Sequence, residues 1–193
     1  MYIELHSRSA FSFLEGASLP EELITVCSNF KMPAMALLDR DGVYGSPRFH
    51  LAAKKAGIKA HIGAEVTCTA FSSRRHPGNE LRASSFEQTG YSELAARSSQ
   101  PRGEFRLPIL VASRSGYQNL CRLITAMKLR VGRKEGACAT DHDFIEHDHA
   151  NGLICLTGGA EGPLAAALAQ GGPQAALRPR ARAGRIRNAG RPG

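Results

Sequence analysis

The sequence predicts an α/β fold built on a parallel sheet or barrel, and three observations predict it. Short apolar runs alternate with helical periodicities through residue 66, in the order β-α-β-α-β. The connections between these segments are short. The polar residues with useful chemistry, His6, Glu15, Asp39 and Glu65, fall at or just after the ends of three successive strands. Strand ends of this kind are where α/β proteins build their crevices.

Each element has its own justification. Residues 2–5 read as a short strand that delivers His6 and the polar run Ser7-Arg8-Ser9, with Glu15 following on a tight turn at Gly16. Ser18 reads as an N-cap, Pro20 as a first-turn residue and Glu21 as the partner in a capping box. Leu23, Ile24, Cys27 and Phe30 recur on one face of that helix, which Pro33 ends. Residues 34–38 are continuously apolar, as in a strand buried on both faces, and they close on Asp39-Arg40-Asp41-Gly42. A helix over 47–56 stops at Gly57, and the strand over 58–66 carries Glu65. Residues 72–104, rich in Ser, Arg, Gly, Gln and Glu, read as a long surface insertion, partly mobile. The pattern resumes with a strand over 107–112 and a helix over 117–130 that places Leu120, Leu123, Ile124 and Met127 on one face. A polar link over 132–150, a strand over 152–157, a turn at Gly158-Gly159 and a helix starting at Leu164 complete the order.

Composition bounds the rest. A chain of 193 residues with 42% hydrophobic content supports one substantial domain with a core. No stretch approaches the roughly 20 apolar residues of a membrane helix, and residues 1–4 lack the layout of a signal peptide. The expected location is the cytoplasm, with no membrane partner. Five cysteines, widely spread and never in a C-x-x-C pair, read as free thiols of a reducing compartment. Of the net charge of +8, the six arginines of residues 178–193 supply +6, so the body of the protein is nearly balanced. Residues 1–177 therefore read as the domain and 178–193 as an Arg/Pro/Gly-rich tail. Two readings of that tail stay open: a basic arm for phosphate backbones, or an out-of-frame stretch that cuts the domain short, which the absence of lysine and of any hydrophobic period favours. The cluster Asp141-His142-Asp143 with Glu146-His147-Asp148-His149 reads as a solvated connector, since nothing in its surroundings fixes a metal geometry.

Converging at one end of a barrel, His6, Glu15, Asp39 and Glu65 offer the donor types that hold divalent cations for phosphoester hydrolysis. Taken singly, each has a blander role, as a solvated carboxylate or a hydrogen-bonded imidazole. Their surroundings are more specific. Glu4-Leu5-His6-Ser7-Arg8-Ser9-Ala10-Phe11-Ser12 with Leu14-Glu15-Gly16-Ala17 resembles the opening of the PHP (polymerase and histidinol phosphatase) domain. More narrowly, it resembles the N-terminus of bacterial DNA polymerase III alpha subunits. Leu38-Asp39-Arg40-Asp41-Gly42-Val43-Tyr44-Gly45 resembles the second motif of that family, and Ile62-Gly63-Ala64-Glu65-Val66 the third. The stretches Gly116 to Ile124 and Gly152 to Gly159 fit two further segments of the same polymerases, and the wording is most similar to the error-prone, damage-inducible alpha subunit. The resemblance covers residues 2–176. It implies a PHP-type distorted (β/α) barrel, incomplete at its C-terminus, in a protein whose parent activity is template-directed DNA synthesis during damage repair. It further implies DNA and other replication or mutagenesis proteins as partners, and magnesium in a polymerase palm that this chain lacks. The rival readings are a stand-alone PHP phosphoesterase and a non-catalytic nucleic-acid-binding fragment.

Departures from the family pattern decide what is expected of the site. Where the first motif reads His-x-His, this chain has His6-Ser7-Arg8; where the second reads Asp-His, it has Asp39-Arg40. A guanidinium has five donors and no acceptor, so it ligates no metal. The resemblance thus implies a vestigial metal site at His6, Glu15 and Glu65, with Asp39 in support. Arg8 and Arg40 stand at lost ligand positions and pair with the two glutamates. No catalytic residue is expected and no metal is retained, residual zinc or manganese being the alternative.

Overall fold

The structure, a computed structural model, describes residues 2–69, 104–131, 136–145 and 149–169. The element order is β1 (Glu4–Ser7), α1 (Pro20–Asn29), β2 (Ala34–Arg40), α2 (Ser46–Ala56), β3 (Lys59–Thr69), β4 (Glu104–Val111), α3 (Arg114–Val131), α4 (Asp141–Ile145) and β5 (Leu153–Cys155). A further helical segment covers 163–169. The five strands make one sheet in the order β1-β2-β3-β4-β5. β1, β2 and β3 are parallel, as the β-α-β-α-β pattern predicts. β4 and β5 run antiparallel, so the sheet is mixed. The tail over 178–193 and most of the insertion over 72–104 lie outside the described residues, but Glu104 opens β4 three residues before the strand expected at 107.

Alternation along β3 shows which side of the sheet is covered. Ala60 and Ile62 pack with Ile24, Cys27, Phe49 and Ala53 of α1 and α2. Ala64, Val66 and Cys68, on the same face by the period of two, pack with Leu120, Leu123 and Met127 of α3. All three long helices therefore cover one face. On the other face the described residues form a small apolar cluster of Ala36, Leu38 and Leu110. Above it, toward the C-terminal ends of the parallel strands, the same face presents Arg40, Glu65 and, from β4, Arg106.

Several local expectations shift for identifiable reasons. β1 contains His6 instead of ending before it. The N-cap of α1 is Leu19, not Ser18, because Pro20 takes the first helical position, where a missing N–H is harmless. Glu22, not Glu21, closes the end by accepting the Leu19 N–H at 2.8 Å, and a leucine cannot return the bond. Phe30, expected on the apolar face, is the C-cap and is exposed. The connector at 141–149 is not uniformly solvated: Asp143 and His149 are buried. Asp143 accepts from the Thr140 N–H and hydroxyl and from Arg130, and His149 Nδ1 lies 2.9 Å from the Asp143 carbonyl. The five cysteines are free thiols, as expected.

Gly63 shows how tightly β3 meets β4, since a Cβ there would lie 2.1 Å from the Ile109 carbonyl oxygen. Gly63→Ala is therefore expected to destabilise the fold by about 1–3 kcal/mol through overpacking. A lowered urea midpoint with an unchanged m-value would show it, and an unchanged midpoint would contradict the packing described.

Candidate functional site

The loop between β1 and α1 is built around one buried carboxylate. Asp39, at the end of β2, accepts the Ser9 N–H at 2.8 Å, the Ser9 hydroxyl at 2.8 and 2.9 Å, and the Ser12 hydroxyl at 3.0 Å. Ser12 Oγ in turn accepts the Arg40 N–H at 3.0 Å. The loop then closes on itself, with Glu15 N–H and Gly16 N–H both donating to the Ser12 carbonyl at 2.9 Å. Gly16 is required there, because a Cβ would lie 2.0 Å from the Ser9 carbonyl oxygen. Asp39 therefore shapes the crevice, with Oδ1 taking three contacts and Oδ2 sharing the Ser9 hydroxyl.

Glu15 and Glu65 are the two carboxylates that the folded loop and β3 bring together. Glu65 is 2% exposed. His6 Nε2 lies 2.8 Å from Glu65 Oε1, and Arg8 Nη2 lies 2.8 Å from Oε1 and 2.7 Å from Oε2. Glu65 Oε2 has no well-oriented hydrogen bond and is held by charge, with Arg106 Nη1 at 3.8 Å on its other side. Glu15 accepts from Arg40 Nη1 at 2.7 Å and from both terminal nitrogens of Arg106, at 2.6 and 2.7 Å. Arg8 Nη1 stands 3.5 Å from the same carboxylate. Glu161 completes the group, 3.2 Å from Arg106 and 3.5 Å from Arg8.

Three guanidiniums thus face three glutamates. Burial pushes the Glu65 carboxyl up, but hydrogen bonds from His6 and Arg8 and their charges outweigh it, so it sits below its ordinary range. Glu15 behaves alike: burial is outweighed by the Arg106 bond and by Arg106, Arg40 and Arg8. Beside them Asp41 accepts from the Thr67 N–H and hydroxyl, both at 2.7 Å. Burial raises its carboxyl in spite of those bonds.

All six residues singled out in the sequence are placed at this end of the sheet: His6, Arg8, Glu15 and Glu65 in contact, with Arg40 on Glu15 and Asp39 beneath the loop. Arg106 and Glu161 are additional members that the sequence reading did not single out. The signal for Arg106 is a cation near the start of β4, flanked by Phe105 and Leu107 and followed by a wholly apolar run to Val111. Glu161 lies in a turn and carries no such signal.

The donor set does not fit a metal ion. Of the side chains at the centre only the His6 imidazole could offer a nitrogen lone pair, and its Nε2 is committed as a donor to Glu65 Oε1 at 2.8 Å. The positions beside it hold guanidiniums, whose charge opposes a cation and whose nitrogens cannot ligate. The unbonded Glu65 Oε2 faces two of them. Among the described residues, no three His, Cys, Asp or Glu side chains converge as a ligand set.

With this geometry in hand, comparison with known proteins defines the class. The chain matches the PHP domain family over residues 4–188, and it belongs to that family. It is 34% identical over 177 residues to the error-prone DNA polymerase of Mycobacterium tuberculosis (strain ATCC 25618 / H37Rv), covering 92% of this chain but 14% of that one. It is 36% identical over 181 residues to the error-prone DNA polymerase of Nocardia farcinica, covering 87% and 16%. Against the protein of the same name from Anaeromyxobacter sp. (strain K) the identity is 33% over 174 residues, covering 86% and 13%. Among solved structures, an amidohydrolase from Chromobacterium violaceum with bound sulfate and no metal is 20% identical, with a TM-score of 0.41 over 66% of this chain and 33% of that one. No helix among the described residues is long and apolar enough to cross a membrane.

The lowered glutamates make an acid-stability prediction with a definite sign. A carboxyl depressed on folding contributes stability that is complete above its ordinary value near 4.5 and is lost as pH falls through the folded value. Asp41, raised on folding, acts in the opposite sense and partly offsets this. The urea midpoint is expected to fall below about pH 4.5, and Glu65→Gln, less stable at neutral pH, is expected to show a shallower fall. Parallel pH profiles for the two proteins would contradict the assignment.

Proposed function

We propose that this chain is the PHP portion of an error-prone DNA polymerase III alpha subunit. In this reading it serves template-directed synthesis on damaged DNA, in the cytoplasm, as a domain that performs no hydrolysis itself. The observation that carries the proposal is the 34% identity extending over 92% of the chain to a polymerase of that name. The share of that relative covered, 14%, leaves nucleotide addition and its magnesium to other parts of such a polymerase. Its partners are then DNA and the replication or mutagenesis proteins that meet it there.

Within that role, the crevice works as an electrostatic clasp at a vestigial metal site. Arg8, Arg40 and Arg106 supply the positive charge that Glu15 and Glu65 need, and His6 orients Glu65. Each glutamate keeps a second cation when one is removed, so the loss of Arg8, the guanidinium in closest contact with buried Glu65, is expected to cost less than the roughly 3–5 kcal/mol of a broken isolated buried pair. The clasp is therefore a device for holding β1, its loop, β2, β3 and β4 in register at one end.

Two measurements test this. Exchanged in frame for the matching segment of the Mycobacterium tuberculosis polymerase, the chain is expected to sustain primer extension. A soluble chimera without extension would count against the polymerase assignment. Separately, the isolated chain incubated with zinc or manganese and desalted is expected to hold far less than stoichiometric metal. The reversion Arg8→His with Arg40→His is expected to raise that content. Stoichiometric metal in the native chain, with phosphate-ester hydrolysis abolished by Glu65→Ala, would establish a phosphoesterase instead.

A further inference from the structure

The sheet has two poles, and their cations are in opposite situations. Where the parallel strands end, each guanidinium meets a carboxylate. Where they begin, four lysines meet none among the described residues. α2 ends on Lys54 and Lys55, Gly57 turns the chain, and Ile58 N–H donates to the Ala53 carbonyl at 2.9 Å. Lys59 therefore opens β3 immediately beneath the last turn of α2. It stands beside Ala34 in the parallel register, with its N–H donating to the Pro33 carbonyl at 3.1 Å, and Lys31 lies two residues before Pro33. All four lysines are exposed. Among the described residues, none lies within ion-pair distance of a carboxylate. Lys54 and Lys55 complement the C-terminal end of the α2 dipole, but that account does not extend to Lys31 or Lys59.

Lys31 carries a second peculiarity. α1 closes in a Schellman arrangement, with Lys31 N–H donating to the Ser28 carbonyl at 2.9 Å and Met32 N–H to that of Cys27 at 3.0 Å. The residue between these bonds must be left-handed, and Lys31 has φ of +54° where glycine would sit without steric penalty. Non-glycine residues held in such conformations cluster at functional sites. Beside it Tyr2 and Phe30 are 63% and 77% exposed. With Lys31 and Met32 they line a groove of about 370 Å³. Glu4, the acid on this edge, is engaged locally, accepting the Tyr2 hydroxyl at 2.5 Å and the His6 N–H at 2.7 Å.

We propose that this pole is a binding surface for single-stranded DNA, in which Lys31, Lys54, Lys55 and Lys59 contact phosphates while Tyr2 and Phe30 stack on bases. Exposed cations with no carboxylate partner among the described residues call for a polyanion. Exposed rings next to them select one whose bases are free to leave their own stack, which a duplex does not offer. The surface is distinct from the crevice and does not depend on how that site is read.

Fluorescence anisotropy with the full 193-residue chain tests it, using labelled oligothymidylate and a duplex of equal length over a range of salt concentrations. The arginines of residues 178–193 are present in every variant, so their contribution cancels. Lys31→Gly combined with Lys55→Ala and Lys59→Ala is expected to weaken single-strand binding by about tenfold or more at low salt. It should also flatten the log–log salt dependence by about 2, since each phosphate contact on a single strand contributes about 0.7. Phe30→Ala is expected to weaken binding by about tenfold without changing the salt slope, as lost stacking does. Lys31→Gly alone relieves the strained φ, so its Tm is expected to hold or rise while affinity falls, separating binding from folding. Unchanged affinity and slope in the triple variant would place any DNA contact elsewhere and overturn the proposal. So would duplex binding equal to single-strand binding with Phe30→Ala silent, or sedimentation showing that the chain pairs with itself through Phe30.

Discussion

Two glutamates converge where the parallel strands end, and one of them, Glu65, is nearly free of solvent. Isolated, that carboxylate would be costly to bury as an ion, and its proximity to Glu15 adds repulsion. Arg8, Arg40 and Arg106 meet this constraint, and each comes from a different part of the chain. Arg8 begins the loop after β1, Arg40 ends β2, and Arg106 belongs to β4, with the long segment after β3 between it and the others. The network therefore does what short-range sequence cannot. It ties an antiparallel strand to the end of a parallel sheet, through a bidentate guanidinium on Glu15 and a longer contact to Glu65.

The network in turn rests on a second, smaller one. Asp39 spends its acceptors on Ser9 and Ser12, and Ser12 organises both the Glu15–Gly16 turn and the Arg40 amide. The bonds from Ser9 and Ser12 to Asp39 are buried, so losing one leaves an unsatisfied group at about 1–3 kcal/mol. Loop shape and charge balance are thus held by separate sets of groups. A crevice with its outline fixed by Asp39 and the serines keeps that outline whether its glutamates face a metal ion or a guanidinium.

The elements that sequence reasoning placed well are those governed by local periodicity. Residues 34–38 are apolar without interruption and become the buried strand β2; Leu120, Leu123 and Met127 share a helical face and pack on β3. The misplaced details come from competition between neighbouring groups. Pro20 shifts the α1 cap by one residue, and Phe30 leaves the apolar face because the helix ends in a left-handed turn one residue later. The candidate site was legible through His6, Glu15, Asp39 and Glu65, whose side-chain types and positions at strand ends point to a common crevice, and through Arg8 and Arg40, whose place in the family motifs marks them. Arg106 and Glu161 were not. Their roles depend on antiparallel pairing across a long intervening segment, and no local period in the sequence encodes that register.

Counting charges also says less than locating them. The net +8 is concentrated outside the described residues, yet the described part is far from electrically uniform. At one end of the sheet, arginines are spent against glutamates at distances down to 2.6 Å. Such pairs have little field left for a distant partner. At the other end, lysines lack counter-charges among the described residues, and one of them occupies a backbone conformation that glycine would hold more easily. Opposed charges at short range stabilise a structure; like charges left uncompensated at the surface reach out through roughly a Debye length of about 8–10 Å. The two poles are therefore suited to different tasks. The first holds the strand ends together, and the second leaves exposed lysines open to solvent-borne anions.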